Sequence, residues 1–414
     1  MAGLRKLLGD IVPANAFYRD KLQDVDLDAA LTDLQAFSSK VPFTTKRELV
    51  EDQQSHPPYG TVLTYPIDQY TRFSQTSATG STPMRWLDTP QSWSWMVDNW
   101  KEVFGVAGVA RGDRCFFAFS FGPFLGFWTS FQAAEALGCL CVPGGGMRST
   151  ARLRMILDNA ITVLCCTPTY AIYLGKTAVA EAIDLNNASV RTIIVAGEPG
   201  GSISSCRTCI EKLWPTATVY DHHGMTEVGP VSFQCRATPG RLHVISAAHF
   251  AEVVNLQTGT AVTAGEAGEL VLTTLGRAAC PLVRYRTGDL IRSGTDAPCE
   301  CGRSDLALDG GILSRIDDMV TIRGVNVYPA ALEEIMRSKP DIEEYRVTVD
   351  TTGDMPELRL EIEANCNCRN TDALVDALRT ALSDAFNLRI EIQVVDAGIL
   401  PRFELKARRW VRAQ

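Results

Sequence analysis

Residues 281–290 read PLVRYRTGDL and residues 311–329 read GILSRIDDMVTIRGVNVYP, with a Cys-x-Cys pair, Cys299 and Cys301, between them. The first segment has the alternation and β-branched content of a strand that runs into a loop at Asp289. A carboxylate in that place is suited to accept hydrogen bonds from two vicinal hydroxyls. Arg315 and the paired Asp317 and Asp318 precede a second short strand, MVTI, which meets a turn at Arg323-Gly324. With Asp289 as acceptor and Arg315 as donor, the pair suits a ribose. Taken singly, the segments also read as an ordinary hairpin and an ordinary charged turn.

Outward from this stretch, the chain has 414 residues, 46% of them hydrophobic, enough to fill the cores of two or three domains. Forty basic residues stand against 48 acidic ones, a net charge of -8 without long single-sign runs. Nucleic acid and an anionic membrane are therefore not expected partners. The opening MAGLRKLLGDIV is interrupted at Gly9 and Asp10 and is too short for a signal sequence or a membrane span, so a cytoplasmic location is expected. Thirteen scattered cysteines predict reduced thiols rather than a disulfide scaffold, with Cys165 and Cys166 as small core residues.

PFTTKREL (42–49) predicts a helix capped by Thr44 or Thr45, with Glu48 near capping-box spacing. SQTSATGSTP (74–83) is dense in hydroxyls and small residues: Ser74, Thr76, Ser77, Thr79 and Gly80 could surround a polyphosphate with backbone N–H and O–H groups, or form a plain surface turn. Trp93, Trp95 and Trp100 fit the core face of a helix. RCFFAFSFGPFLGFW (114–128) reads as a buried strand opening at Phe121-Gly122-Pro123, with Phe121, Phe124 and Phe127 as core or as an aromatic wall. Residues 137–200 alternate strand and helix, which predicts βαβ units and a mainly parallel sheet with ligands at the strand ends. Two motifs fall at such ends: Ala196-Gly197-Glu198-Pro199 and Asp221-His222-His223-Gly224-Met225-Thr226-Glu227. A carboxylate such as Glu227 suits Mg²⁺ beside phosphate oxygens. The adjacent histidines could suggest a metal site, but neighbours on a strand point to opposite faces.

Cys235, His243, Cys299 and Cys301 lie beside Pro and Gly turns of the kind a structural zinc site uses; unliganded thiols are the alternative. Beyond Asp317, VYPAALEEIMRS predicts a Pro-initiated amphipathic helix, YRVTVD and LRLEIEA an antiparallel pair, TDALVDALRTALSDAF a long helix and EIQVV another strand. These make a small α+β unit of about 100 residues. Lys406, Arg408 and Arg409 alone would read as a solvated basic tail.

In this order and spacing the motifs resemble the adenylate-forming superfamily of acyl-CoA synthetases and adenylation domains, specifically its phenylacetate-CoA ligase branch, over nearly the whole chain. The resemblance implies an α/β protein: a large N-terminal domain, residues 1–315, with mixed, mainly parallel sheets, and a small mobile α+β C-terminal lobe, residues 316–414, hinged at Asp317. It implies that 74–83 holds the β- and γ-phosphates of ATP, although Ala78, Gly80, Ser81 and Thr82 depart from the family pattern. Alanine resists positive φ and Thr82 stands where many members have lysine, so the loop offers the phosphates no ammonium at that position. Gly197, Glu198 and Pro199 with Asp221, His222 and His223 would hold the adenine, with His223 in the usual place of a tyrosine. Thr226 would meet the α-phosphate and Glu227 hold Mg²⁺. Phe121, Gly122, Phe124, Phe127, Ala196 and His223 would line the carboxylate pocket, whose aromatic wall suits an aryl or arylacetic acid. Cys235, His243, Cys299 and Cys301 would hold structural zinc, and Lys406, in LPRFELKARRW, matches the catalytic lysine of a Pro-Arg-x-x-x-Lys pattern.

The implied reaction is ATP-dependent acyl-adenylate formation followed by transfer to coenzyme A. Two alternatives stand beside it: transfer to the phosphopantetheine thiol of an acyl carrier protein, and a nucleotide-binding homologue without catalysis, which the altered phosphate loop suggests. The branch also suggests a homodimer.

Overall fold

The computed structural model describes residues 1–414 apart from 77–82, 296, 319, 323–324, 352–355, 404–406 and 414, and the side chain of residue 326. Val163, Leu164, Cys165 and Cys166 are all fully buried, which requires a strand covered on both faces. That strand is central in a five-stranded parallel sheet of β1 (Arg114–Phe117), β2 (Leu140–Pro143), β3 (Val163–Cys166), β4 (Thr192–Val195) and β5 (Thr218–Asp221), in the order β2-β1-β3-β4-β5. Val163 and Cys165 pack into one apolar cluster, Leu164 and Cys166 into the other, as the two-residue period of a strand dictates.

Helix α1 (Pro90–Val106) precedes the sheet, and α2 (Trp128–Ala136), α3 (Ser149–Asp158), α4 (Pro168–Ala180) and α5 (Ser204–Leu213) make its crossovers. Thr89 and Thr167 cap α1 and α4 with a proline at the first helical position, where its missing N–H costs nothing. The predicted capping box also forms, with Thr45 as cap and Glu48 as its partner; Thr44 instead donates its hydroxyl to the Val283 carbonyl at 2.7 Å.

A six-stranded antiparallel sheet follows: β6 (Ser232–Gln234), β7 (Arg241–Val244), β8 (His249–Val254), β9 (Ala267–Thr274), β10 (Tyr285–Ser293) and β11 (Ala307–Arg315), in the order β6-β7-β11-β10-β9-β8. Leu4, Leu7, Leu8, Ile11, Tyr18 and Phe37 from the N-terminal helices share its apolar core. Asp289 lies inside β10 rather than in a loop after it, opposite Arg315 of β11 and beside a register shift. Its side chain can remain on a strand because Arg315 and His223 satisfy the carboxylate there.

The C-terminal unit has α6 (Pro329–Arg337), α7 (Thr371–Phe386) and a four-stranded sheet of β12 (Ile342–Asp350), β13 (Glu357–Ala364), β14 (Glu391–Val395) and β15 (Trp410–Arg412), in the order β14-β13-β12-β15. Its apolar core is a separate cluster running from Ile322 to Ile392. The basic end of the chain is not wholly a solvated tail: Trp410–Arg412 pairs in parallel with β12, and Arg409 is buried against Glu344 at 2.7 Å. No helix among the described residues is long and apolar enough to cross a membrane.

Candidate active site

Three of the motifs come together where β5 ends. His223 directs Nε2 at Asp289 Oδ2, 3.0 Å away, and Arg315 Nη1 donates to Asp289 Oδ1 at 2.8 Å. Asp289 is almost fully buried. Burial alone would raise its pKa; the hydrogen bonds and charges of His223 and Arg315 together outweigh it and hold the carboxyl below the usual carboxylate range. Gly288 has φ +75°, and a Cβ there would come within 3.0 Å of the Arg315 guanidinium, so glycine permits this close approach. The expected acceptor and donor are thus adjacent, but with each other and His223 as partners.

At the end of β5, Asp221 is buried and accepts from Ser202 Oγ at 2.5 Å and from the His222 backbone N–H at 3.0 Å. His222 is turned into the core: Nδ1 lies 2.6 Å from the Ser232 carbonyl and the ring lies 4.1 Å from that of Trp100, centroid to centroid. Burial pushes its pKa down to about 3, so the imidazole is neutral at pH 7. The folded pKa lies below that of the unfolded chain; the contribution to stability is therefore complete above about pH 6.5 and is lost as pH falls towards 3. Between pH 7.5 and 5 this predicts a loss of roughly 2 kcal/mol, measured by guanidinium unfolding, and a flatter pH slope in His222→Asn.

Thr226 and Glu227 follow in the next loop. Both of their carbonyls accept from Arg277 Nη1, at 2.8 and 2.7 Å. Arg277 is fully buried and makes a bidentate pair with Asp88, 2.7 Å at each oxygen, with its guanidinium over the Trp86 ring. Sequence reading missed Arg277; its signal is a lone cation in the apolar run ELVLTTLGRAACPLV (269–283). Glu227 as a residue is buried, and no hydrogen bond joins its carboxylate to another of the described residues. Its two oxygens are the hard donors that a divalent cation takes.

Ser74 is buried in a short strand, and Thr76 pairs with Met84 through both its backbone and its hydroxyl. The Gln75 N–H donates to the Pro123 carbonyl at 2.5 Å, which brings the start of the phosphate-loop candidate against the aromatic segment. Ser77, Thr79 and Gly80 lie outside the described residues, as does Lys406. Ala407, the residue after Lys406, donates its backbone N–H to Glu198 Oε2 at 2.9 Å. Ala196 is buried at the end of β4, and Gly197 has φ +94°. Pro199 is exposed just beyond. In the aromatic segment Phe127 belongs to the core, stacked on Phe119 at 3.9 Å, whereas Phe124 is exposed and its ring covers Gly122. Phe121 packs edge-on against Trp128 at 4.7 Å. Asp317 is exposed in a single 3₁₀ turn between β11 and the C-terminal unit, 3.6 Å from Arg315 Nη2.

A second cluster lies apart from these residues. The ligating atoms of Cys235, His243, Cys299 and Cys301 are all within 4.8 Å of one another, with Cys235 Sγ 3.5 Å from Cys299 Sγ and Cys301 Sγ 3.4 Å from His243 Nε2. Edges near roughly 3.7 Å are what tetrahedral zinc–thiolate bonds require, so this donor set fits the ion. All thirteen cysteines are free thiols.

Residues 89–278 match the AMP-binding enzyme family and residues 324–413 the AMP-binding enzyme C-terminal domain. The phenylacetate-coenzyme A ligase of Thermus thermophilus is 30% identical over 369 residues, 87% of this chain and 80% of that protein. That of Pseudomonas putida is 28% identical over 383 residues, 89% of this chain and 83% of its own. Among solved structures, 2-hydroxyisobutyryl-CoA ligase in the postadenylation state with 2-HIB-AMP superposes at a TM-score of 0.94, with 25% identity over 100% of this chain and 88% of that one. The same ligase with 2-HIB-AMP and CoA in the thioesterification state superposes at 0.74, with 25% identity over 99% and 88%.

Proposed function

The chain belongs to the phenylacetate-coenzyme A ligase family, and on that premise we propose that its substrate is an aryl or arylacetic acid, activated by the residues gathered around Asp289. As an AMP-forming acid–CoA ligase it uses ATP to activate a carboxylic acid and transfers the acyl group to coenzyme A. A carboxylate oxygen attacks the α-phosphorus of ATP, the bond to pyrophosphate breaks, and an acyl adenylate results. The coenzyme A sulfur then attacks the acyl carbon, AMP leaves, and the thiol proton passes to solvent. Adenylation is needed because a carboxylate is a poor electrophile.

The observation that carries the assignment of residues is the meeting of Asp289, Arg315 and His223 at one strand end, with Thr226 and Glu227 in the loop that follows. Asp289 and Arg315 hold the ribose, Gly197 and Pro199 flank the adenine, and Thr226 meets the α-phosphate. His223 leaves Asp289 when the ribose hydroxyls replace it. Mg²⁺ on Glu227 would neutralise phosphate charge during displacement. Lys406 supplies an ammonium between two anions, with the division between the domains near residue 315 and Asp317 as the pivot. The aromatic segment at Phe121 favours a flat acid. An acid panel in a pyrophosphate-release assay tests this: arylacetic and benzoic acids should exceed short aliphatic acids at least about tenfold in kcat/KM, and the reverse order refutes the aryl reading. Free coenzyme A should accept the acyl group without a carrier protein.

Cys235, His243, Cys299 and Cys301 hold one structural zinc, remote in role from the phosphates because all four positions are protein ligands. Metal analysis should find about one zinc per chain, and chelation should lower the unfolding midpoint by at least about 4 °C. A metal-free protein with an unchanged midpoint in Cys235→Ser would reduce the cluster to packed thiols.

A further inference from the structure

Among the described residues, hydrogen bonds cross to the C-terminal unit from α4, from α5 and from the segment after β4. Lys176 of α4 reaches across to Glu343, 2.7 Å from its carboxylate and 3.3 Å from its carbonyl. Ser205 of α5 donates to the Glu334 carbonyl of α6 at 3.4 Å, and α5 packs on α6. The third crossing is at the site itself. Glu198 accepts the backbone N–H of Thr169, in the first turn of α4, at Oε1 and that of Ala407 at Oε2, both at 2.9 Å.

The two oxygens of Glu198 differ in what they hold. Oε1 is tied within the N-terminal part, to one of the amides that a helix start leaves unpaired and that favours a carboxylate. Oε2 is tied to the end of the chain, one residue beyond Lys406. A carboxylate gives a backbone N–H a charge-assisted bond, stronger than a neutral acceptor would. Glu198 is only half-buried and Lys176 and Glu343 are each about one-third exposed, so water can replace each partner when the contact opens. These crossings are strong enough to bias a position and weak enough to break within a turnover. They also occur in a chain whose arrangement matches the postadenylation form of 2-hydroxyisobutyryl-CoA ligase more closely than its thioesterification form.

We propose that Glu198, with the Lys176–Glu343 pair, is a latch that holds the C-terminal unit in the position adenylation needs and must open before the thioester forms. Glu198 is then a positioning residue, and its carboxylate is spent on two backbone amides rather than on the nucleotide. The proposal rests on the acid–CoA ligase reading above and deepens it. Its consequence is asymmetric: loosening the latch harms the first half-reaction and spares or hastens the second.

The test measures the two half-reactions separately on the full-length protein: acid-dependent pyrophosphate release, and thioester formation from supplied acyl adenylate and coenzyme A. Glu198→Ala should slow the first about tenfold with KM for ATP within about threefold of the native value, and leave the second unchanged or faster. Lys176→Glu, which sets two carboxylates against each other, should slow the first severalfold, and Lys176→Glu with Glu343→Lys should restore it. Equal loss in both half-reactions, a Glu198→Ala effect confined to KM for ATP, or no rescue by the charge exchange overturns the latch alone. Native protein active in neither half-reaction overturns the ligase reading and the latch with it.

Discussion

Arg277→Met is expected to lower stability by about 3–5 kcal/mol, because it leaves Asp88 charged and unpaired in the core. The pair is fully buried, with side chains at 0% exposure on both partners, so solvent screening does not soften the loss. The companion variant separates stability from function. Asp88→Leu with Arg277→Met removes both charges, and replacing a buried pair by apolar side chains is often close to neutral. At least half of the lost stability should return, read from the denaturant midpoint. Activity should not return with it, because the carbonyls of Thr226 and Glu227 still lack the donor that aims their loop. Pyrophosphate release at least about tenfold below native in the double variant is the expected result. Full recovery of both would make Arg277 a stabilising residue only.

Lys406→Ala carries the second large effect. Two anions, the acid and the α-phosphate, must meet, and an ammonium between them stabilises the charge that builds on phosphorus. Loss of one such positioned donor costs on the order of 10²–10³ in kcat, so adenylation should fall by that factor. Thioester formation from supplied acyl adenylate should stay within about threefold of native, since no phosphate is attacked in that step. Lys406→Arg should rescue poorly, because a planar guanidinium does not replace a compact ammonium between two oxygens. Equal loss in both half-reactions would remove Lys406 from its assigned role.

What the sequence made legible was what depends on near neighbours. The run TVLCC read as a strand of a mainly parallel sheet, and PFTTKREL as a capped helix, because period and cap are local. The C-terminal helices and the antiparallel pair β12–β13 follow from periodicity in the same way. Long-range pairing was not legible. Arg277 and Asp88 are 189 residues apart, and nothing near either one announces the other. Arg409 read as solvated tail because its partners Glu333 and Glu344 come from α6 and β12. Trp410–Arg412 lacks its own strand signal and is ordered by an existing edge. Asp289 read as a loop residue because a carboxylate is unusual inside a strand; its place in β10 depends on Arg315 across the ladder and on His223 from the link that follows β5. Glu198 was legible as part of a strand-end motif, whereas its bond to Ala407 depends on how the C-terminal unit docks.

The account turns on a carboxylate oxygen attacking the α-phosphorus of ATP within this site. Turnover with a substrate acid labelled with ¹⁸O in both carboxylate oxygens tests it most directly, by mass spectrometry of the nucleotide and phosphate products. One labelled oxygen in each AMP formed, with none in pyrophosphate, is the predicted result; label in pyrophosphate or orthophosphate, or unlabelled AMP, would contradict it.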